Sequence, residues 1–95
     1  MSQIDRTIIE QSSLRRGFVL QETHHRYYYH EFKGKRTRAY TYVSMGSNYR
    51  TYGDALMKRM KKELCLDTLQ EVRRLLHCEM DGEEYNEILR SKGLI

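Results

Sequence analysis

The sequence contains no proline and only two cysteines. Without proline, nothing in it reads as a stiff linker between domains. Cys65 and Cys78 stand 13 residues apart and no CxxC pair occurs, so a zinc site of ordinary spacing lacks its ligands. There is also no HExxH, no GxSxG and no phosphate-binding P-loop motif, which leaves zinc-protease, serine-hydrolase and nucleotide-hydrolysing mechanisms without support. No metal or cofactor is expected. No run approaches the ~20 apolar residues of a membrane span. The start, MSQIDRTIIEQ, lacks the apolar segment of a secretion signal. The expectation is a cytoplasmic protein with no membrane partner, its two thiols reduced and buried.

A chain of 95 residues fits one core. Apolar residues make up 39% and charged residues 32%, so that core is modest and the surface ionic. Charge is unevenly spread. Residues 1–63 hold 13 Lys/Arg against 6 Asp/Glu, and residues 64–95 hold 4 against 7. The basic portion suits a phosphate backbone or an acidic partner.

Periodicity predicts a first helix over 3–16, capped by Ser2 with Asp5 in its first turn and Gly17 just beyond its end. Strands follow over 18–22, 24–32 and 36–44, with a turn at Lys33-Gly34-Lys35. Met45-Gly46-Ser47-Asn48 ends the sheet. A helix from Tyr52 to Leu64 shows an apolar face of Leu56, Met57, Met60 and Leu64. A third helix begins at Asp67, with Gln70 placed as in a capping box and Leu69, Val72, Leu75 and Leu76 as its buried stripe. Asp81 caps a last helix, with Glu84 three residues on and Tyr85, Ile88 and Leu89 on its apolar side. The predicted order is α-β-β-β-α-α-α, an α+β fold.

The segment His24-His25-Arg26-Tyr27-Tyr28-Tyr29-His30 carries most of the chemistry. Strand alternation puts His25, Tyr27 and Tyr29 on one face and His24, Arg26, Tyr28 and His30 on the other. The pattern does not fix which face the helices cover. Aromatic rings interleaved with Arg26, Arg36 and Arg38, with Tyr40 and Tyr42 close by, suit unpaired bases and phosphates. The alternative is plain cross-strand packing. The run Lys58-Arg59-Met60-Lys61-Lys62 is either a solvated helix face or a phosphate track beside the sheet. A histidine titrating near neutrality can activate a ribose 2′-OH while cations stabilise the charged phosphorus centre. His24, His25 and His30 are equally open to a solvated, inert role.

The ordered set Arg16-Gly17-Phe18-Val19, five residues, His25 followed by aromatics, then Gly34-Lys35-Arg36-Thr37, Thr41 and Val43-Ser44-Met45-Gly46 resembles the HicA-type toxins of toxin–antitoxin pairs. The likeness spans about residues 4–64. Cys78 and Glu83-Glu84-Tyr85 ahead of Leu89 resemble an extension of longer relatives. The resemblance implies a fold like a double-stranded-RNA-binding domain (dsRBD), an α-β-β-β-α core over 1–65 with a three-stranded antiparallel sheet. Residues 66–95 would be a helical extension packed on it. It also implies metal-independent mRNA cleavage and inhibition by a HicB-like antitoxin. By position the catalytic histidine is His25, with His24 as fallback. Arg26, Lys35, Arg36, Arg38, Tyr40, Lys58 and Lys62 are the expected RNA contacts. Two positions depart from the family: Thr23-His24 replaces a common Gly-Ser, and Ser44-Met45-Gly46 replaces a Ser-His-Gly. If that missing histidine takes part in cleavage, binding without cleavage is the alternative; a protein-interaction domain is the third reading.

Overall fold

The computed structural model describes residues 3–44 and 50–95. Three strands, β2 (Phe18–Glu22), β3 (Arg26–Phe32) and β4 (Lys35–Val43), form an antiparallel meander in that spatial order. The β3–β4 hairpin is closed by Lys33 and Gly34, both at positive φ (52° and 78°). Two consecutive left-handed residues make the turn whose twist matches the strands it joins. A register shift between Tyr29 and Glu31 bulges the hairpin: Tyr29 pairs with Tyr40, but Glu31 pairs with Arg36.

The first helix starts later than periodicity predicts. Ile4–Asp5 form a short strand, β1, paired with β5 (Thr51–Tyr52), and α1 covers Arg6–Arg15. Pairing Ile4 with Tyr52 lets both side chains reach full burial. Asp5 therefore keeps an extended backbone and becomes the residue before the helix, without a side-chain capping bond. The same pairing takes Tyr52 out of the second helix, α2, which covers Asp54–Glu63. The expected Ser2 cap and the Met45–Asn48 break lie outside the described residues.

The third helix, α3 (Leu69–Leu76), corrects the expected cap by one residue. Thr68 Oγ1 accepts from the Glu71 N–H at 3.1 Å, and Glu71 Oε1 accepts from the Thr68 N–H at 3.2 Å. Asp67 instead accepts from Lys92 Nζ. The last helix, α4 (Gly82–Ser91), is capped as expected, with Asp81 accepting from the Glu84 N–H at 2.8 Å.

Both cysteines have a backbone role that the sequence concealed. α2, α3 and α4 each end on a residue in the left-handed region: Cys65 (φ 61°), Cys78 (φ 64°) and Gly93 (φ 73°). In each, the following amide reaches back to the last turn: Leu66 to the Lys61 carbonyl, Glu79 to Arg74 and Leu94 to Leu89. This is the Schellman closure, for which glycine is the usual residue. Cys65 is consequently only half-buried and Cys78 is exposed, contrary to the expectation of two buried thiols. Ser12 Oγ lies 3.4 Å from Cys78 Sγ and holds that thiol below its ordinary pKa, helped by Arg16 and Arg15. Burial pushes Cys65 up.

One continuous core joins the sheet to every helix. Phe18, Tyr28, Ala39 and Val43 from the sheet meet Ile9 of α1, Met57 and Met60 of α2, Val72, Leu75 and Leu76 of α3, and Tyr85 and Leu89 of α4. Tyr85 stacks on Phe18 at 5.7 Å and donates its hydroxyl to the Leu64 carbonyl. Burying each such side chain contributes roughly 1.5–3 kcal/mol, so the C-terminal helices supply a large share of the core. The observed architecture is α+β, with all the long helices on one side of the meander.

Candidate nucleic-acid interface

The two faces of the sheet differ in what covers them. On the helix side, Tyr28 and His30 of β3 and Ala39, Thr41 and Val43 of β4 are fully buried. The other side carries Val19 and Gln21 of β2, Tyr27 and Tyr29 of β3, and Tyr40 and Tyr42 of β4, in direct cross-strand register. Among the described residues these tyrosines are half-buried rather than enclosed, covered in part by one another, by His25 and by two arginine side chains. His25 shares this open face, so the side chain proposed for chemistry is on the solvent side of the sheet.

The rings form a continuous row. His25 stacks on Tyr42 with centroids 5.1 Å apart, Tyr42 meets Tyr27 at 5.2 Å, Tyr27 stacks on Tyr29 at 5.9 Å, and Tyr29 stacks on Tyr40 at 6.0 Å. A guanidinium sits on the second ring from each end of the row. Arg36 lies 3.9 Å from the Tyr29 ring centroid and is steadied by a 2.6 Å bond to Gln21 Oε1. Arg59 of α2 reaches round the β4 edge and lies 4.0 Å from the Tyr42 centroid, donating to the Tyr42 carbonyl at 2.8 Å. Cation–π contact of this kind fixes planar cations parallel to rings, where they present their edges to phosphates.

Arg59 is held by Glu63, whose Oε2 lies 3.3 Å from Nε, although that N–H is not aligned to donate to it. Glu63 also accepts from Thr41 Oγ1 at 3.1 Å. Burial pushes the Glu63 carboxyl above its ordinary pKa, and Arg59 and Thr41 oppose that rise. Beside it, Arg38, Tyr40, Lys62, Glu63 and Cys65 line a shallow depression along the β4 edge. Burial, with Glu63 next, raises the Tyr40 hydroxyl.

The expected site residues divide clearly. Tyr40, Arg36, Arg38 and Lys62 gather along the open face and its β4 edge. Lys35 is exposed at the hairpin beside Arg36, and Lys58 is exposed one turn before Lys62 on α2. Arg26 does not belong with them. It pairs with Val43 on the helix side, donates to Glu10 Oε1 at 2.7 Å and reaches Glu22 at 3.2 Å. Strand parity fixes that outcome: Arg26 is one residue out of phase with Tyr27, and Glu10 of α1 lies where its side chain emerges. His24 is exposed in the turn before β3. His30 is enclosed, 2.9 Å from Thr37 Oγ1 and 3.1 Å from Asn86 Oδ1, and burial lowers its pKa.

Among the described residues no carboxylate orients His25, and its Nδ1 is buried without a hydrogen-bond partner. Its position is set by stacking on Tyr42 and by the turn in which the Thr23 N–H donates to the His25 carbonyl at 2.9 Å. Gln21 is the contributor that the sequence alone did not single out; Tyr27 and Tyr42 belong to the aromatic set legible there. Arg59 was legible as part of a basic helix run, but not as a residue that crosses the sheet edge. Among the described residues, no three His, Cys, Asp or Glu side chains come together to hold a metal, and no helix is long and apolar enough to cross a membrane. Comparison with known proteins finds no matching family model, curated protein or solved structure.

Proposed function

We propose that the open face of the meander binds RNA, with unpaired bases stacked on the tyrosine row and phosphates held by Arg36, Lys35, Arg38, Arg59 and Lys62. The carrying observation is the row His25–Tyr42–Tyr27–Tyr29–Tyr40 on the helix-free face, with guanidinium groups over Tyr42 and Tyr29. Stacking on aromatic rings is worth ~1–3 kcal/mol per base and tolerates any sequence. A basic surface alone would bind any polyanion; the ring row is what favours single strands over duplex. In this reading the partner is mRNA in the cytoplasm, and the dsRBD-like arrangement serves as a platform for a single strand.

Cleavage is the second reading, favoured by the place of His25 on that same face. As in HicA-like toxins, His25 would take the proton from a ribose 2′-OH. That oxygen would bond to the adjacent phosphorus as the P–O5′ bond breaks, leaving a 2′,3′-cyclic phosphate. The proton would pass back from His25 or from water to the departing 5′-oxygen, and Arg59 would stabilise the charge that develops on the phosphate. The cut would need no metal, and a HicB-like antitoxin would cover the face to silence it. His24, exposed in the adjoining turn, is the alternative base.

Titrating a fluorescent single-stranded RNA at several salt concentrations tests binding. The expected outcome is an affinity that falls steeply with salt and exceeds that for duplex RNA of equal length. Incubating the RNA with EDTA present tests cleavage: cutting that persists, and is lost in His25→Ala with binding retained, supports the toxin reading. Intact RNA under those conditions reduces the function to binding.

A further inference from the structure

The two edges of the sheet are treated differently. The β4 edge carries Lys35, Arg36 and Arg38, is broken by the bulge, and is bridged by Arg59, which bonds the Tyr42 carbonyl. Charge, bulge and covering side chain are the devices that keep an edge from pairing with another chain. Among the described residues the β2 edge has no bulge and no side chain bonded across its backbone, and its one charge is Glu22 at the strand's end. Phe18-Val19-Leu20-Gln21-Glu22 contains no Lys or Arg, and among the described residues β3 is its only strand neighbour. The large apolar side chains exposed among the described residues are Ile8, Leu14, Val19 and Leu20, all on α1 and β2. Leu20 lies on the helix side of the sheet opposite Tyr28 and Val19 on the open side opposite Tyr29, so exposed apolar groups flank this edge on both faces, and such groups mark interaction surfaces.

The backbone shows what fits there. The Glu31 N–H donates to the Gly17 carbonyl at 3.1 Å and the Thr23 N–H to the His25 carbonyl at 2.9 Å. Antiparallel ladders alternate, so Gly17, Val19, Gln21 and Thr23 direct their backbone groups toward β3. Phe18, Leu20 and Glu22 direct theirs outward. These three residues are self-complementary under a two-fold axis through Leu20. Leu20 would exchange both bonds with its own copy, and Phe18 would exchange both with Glu22 of the other chain, leaving no outward N–H or C=O unpaired. Charge agrees. The strand is entered through Arg15-Arg16 and ends at Glu22, so antiparallel self-pairing brings Glu22 of each copy toward the basic entry of the other, in addition to the bonds Glu22 makes with Arg26 and Arg16 with the Met80 carbonyl.

We infer that the β2 edge is a homodimer interface, through which two copies join into one continuous sheet. The inference does not depend on RNA binding. The two-fold axis stands perpendicular to the sheet, so both tyrosine rows face the same side and form one extended surface. An isologous contact of this kind closes on itself. It leaves the two β4 edges outermost, where their charges discourage further growth.

Sedimentation over a wide concentration range, with amide exchange on the unmodified chain, tests this. The expected result is an apparent mass approaching twice that of one chain as concentration rises. The amides of Phe18, Leu20 and Glu22 should then exchange more slowly in step with the dimer fraction, and those of Val19 and Gln21 should not. Leu20→Lys places two cations face to face at the axis, so it should lose the dimer while keeping the circular dichroism of the original. A chain that stays monomeric to millimolar concentration overturns the inference. So does a dimer that persists in Leu20→Lys or forms without slowing the Leu20 amide; the exchange data decide the matter even if that variant folds poorly.

Discussion

The two faces of β3 carry the same residue types and put them to different uses. Tyr28 and His30 face the helices; Tyr27, Tyr29 and the preceding His25 face away. On the covered side the polar groups of Tyr28 and His30 have fixed partners. Tyr28 donates to Glu10 at 2.7 Å, and His30 is bonded through both ring nitrogens. Burial and Glu10 together push the Tyr28 hydroxyl far above its ordinary pKa. On the open side the rings meet one another and two guanidinium groups. Residue type therefore decided little; parity and the placement of the helices decided whether a tyrosine is core or platform.

That contrast breaks first on stability. Tyr28→Ala should cost ~3–5 kcal/mol in chemical denaturation, because it removes a buried ring and strips Glu10 of a donor. Tyr27→Ala should cost well under half of that, since its site is open to water. If the two changes cost the same, the faces are not distinct in the way described.

RNA affinity should show the reverse order. Tyr27→Ala or Tyr42→Ala should weaken single-strand binding by ~1–3 kcal/mol each, and Tyr28→Phe should leave it unchanged. Among the cations, Arg36→Ala should lower the salt slope by roughly one contact. Arg26→Ala should leave the slope unchanged, because Glu10 and Glu22 already hold its guanidinium.

Acid sharpens the comparison further. His30 is buried neutral, with its pKa lowered from 6.5. The unfolded chain thus binds the proton more readily than the folded one, and stability from this group is lost as pH falls below about 6.5. The slope of stability against pH in that window should flatten in His30→Gln. The smallest expected effect concerns the helix ends. Cys78→Gly relieves a left-handed non-glycine residue at an exposed position and should raise stability by ~0.5–1 kcal/mol in thermal melts. An Ala at the same position should not.

Much of this was legible in the sequence. The meander, the Lys33-Gly34 turn, the apolar stripes of α2 and α3, and the Asp81 cap all follow from alternation, spacing and turn chemistry. The pairing of Ile4 with Tyr52 was not, because a two-residue bridge between segments far apart leaves no periodic trace. The helix ends at Cys65 and Cys78 were hidden because the residue that usually marks them is glycine. Of the seven contacts expected from the sequence, Tyr40, Arg36, Arg38 and Lys62 lie together, Lys35 and Lys58 lie exposed nearby, and Arg26 faces the other way. The open side was not legible, since alternation separates two faces without saying which one the helices choose. Arg59 was concealed for a related reason: its role depends on α2 lying along the β4 edge.

The most direct test of the central claim is to irradiate the protein with a single-stranded RNA containing 4-thiouridine and map the cross-linked peptides by mass spectrometry. The account predicts adducts at Tyr27, Tyr29, Tyr40 and Tyr42, lost when excess unlabelled single strand competes. Adducts confined to α3 and α4, or none in the presence of saturating RNA, would contradict it.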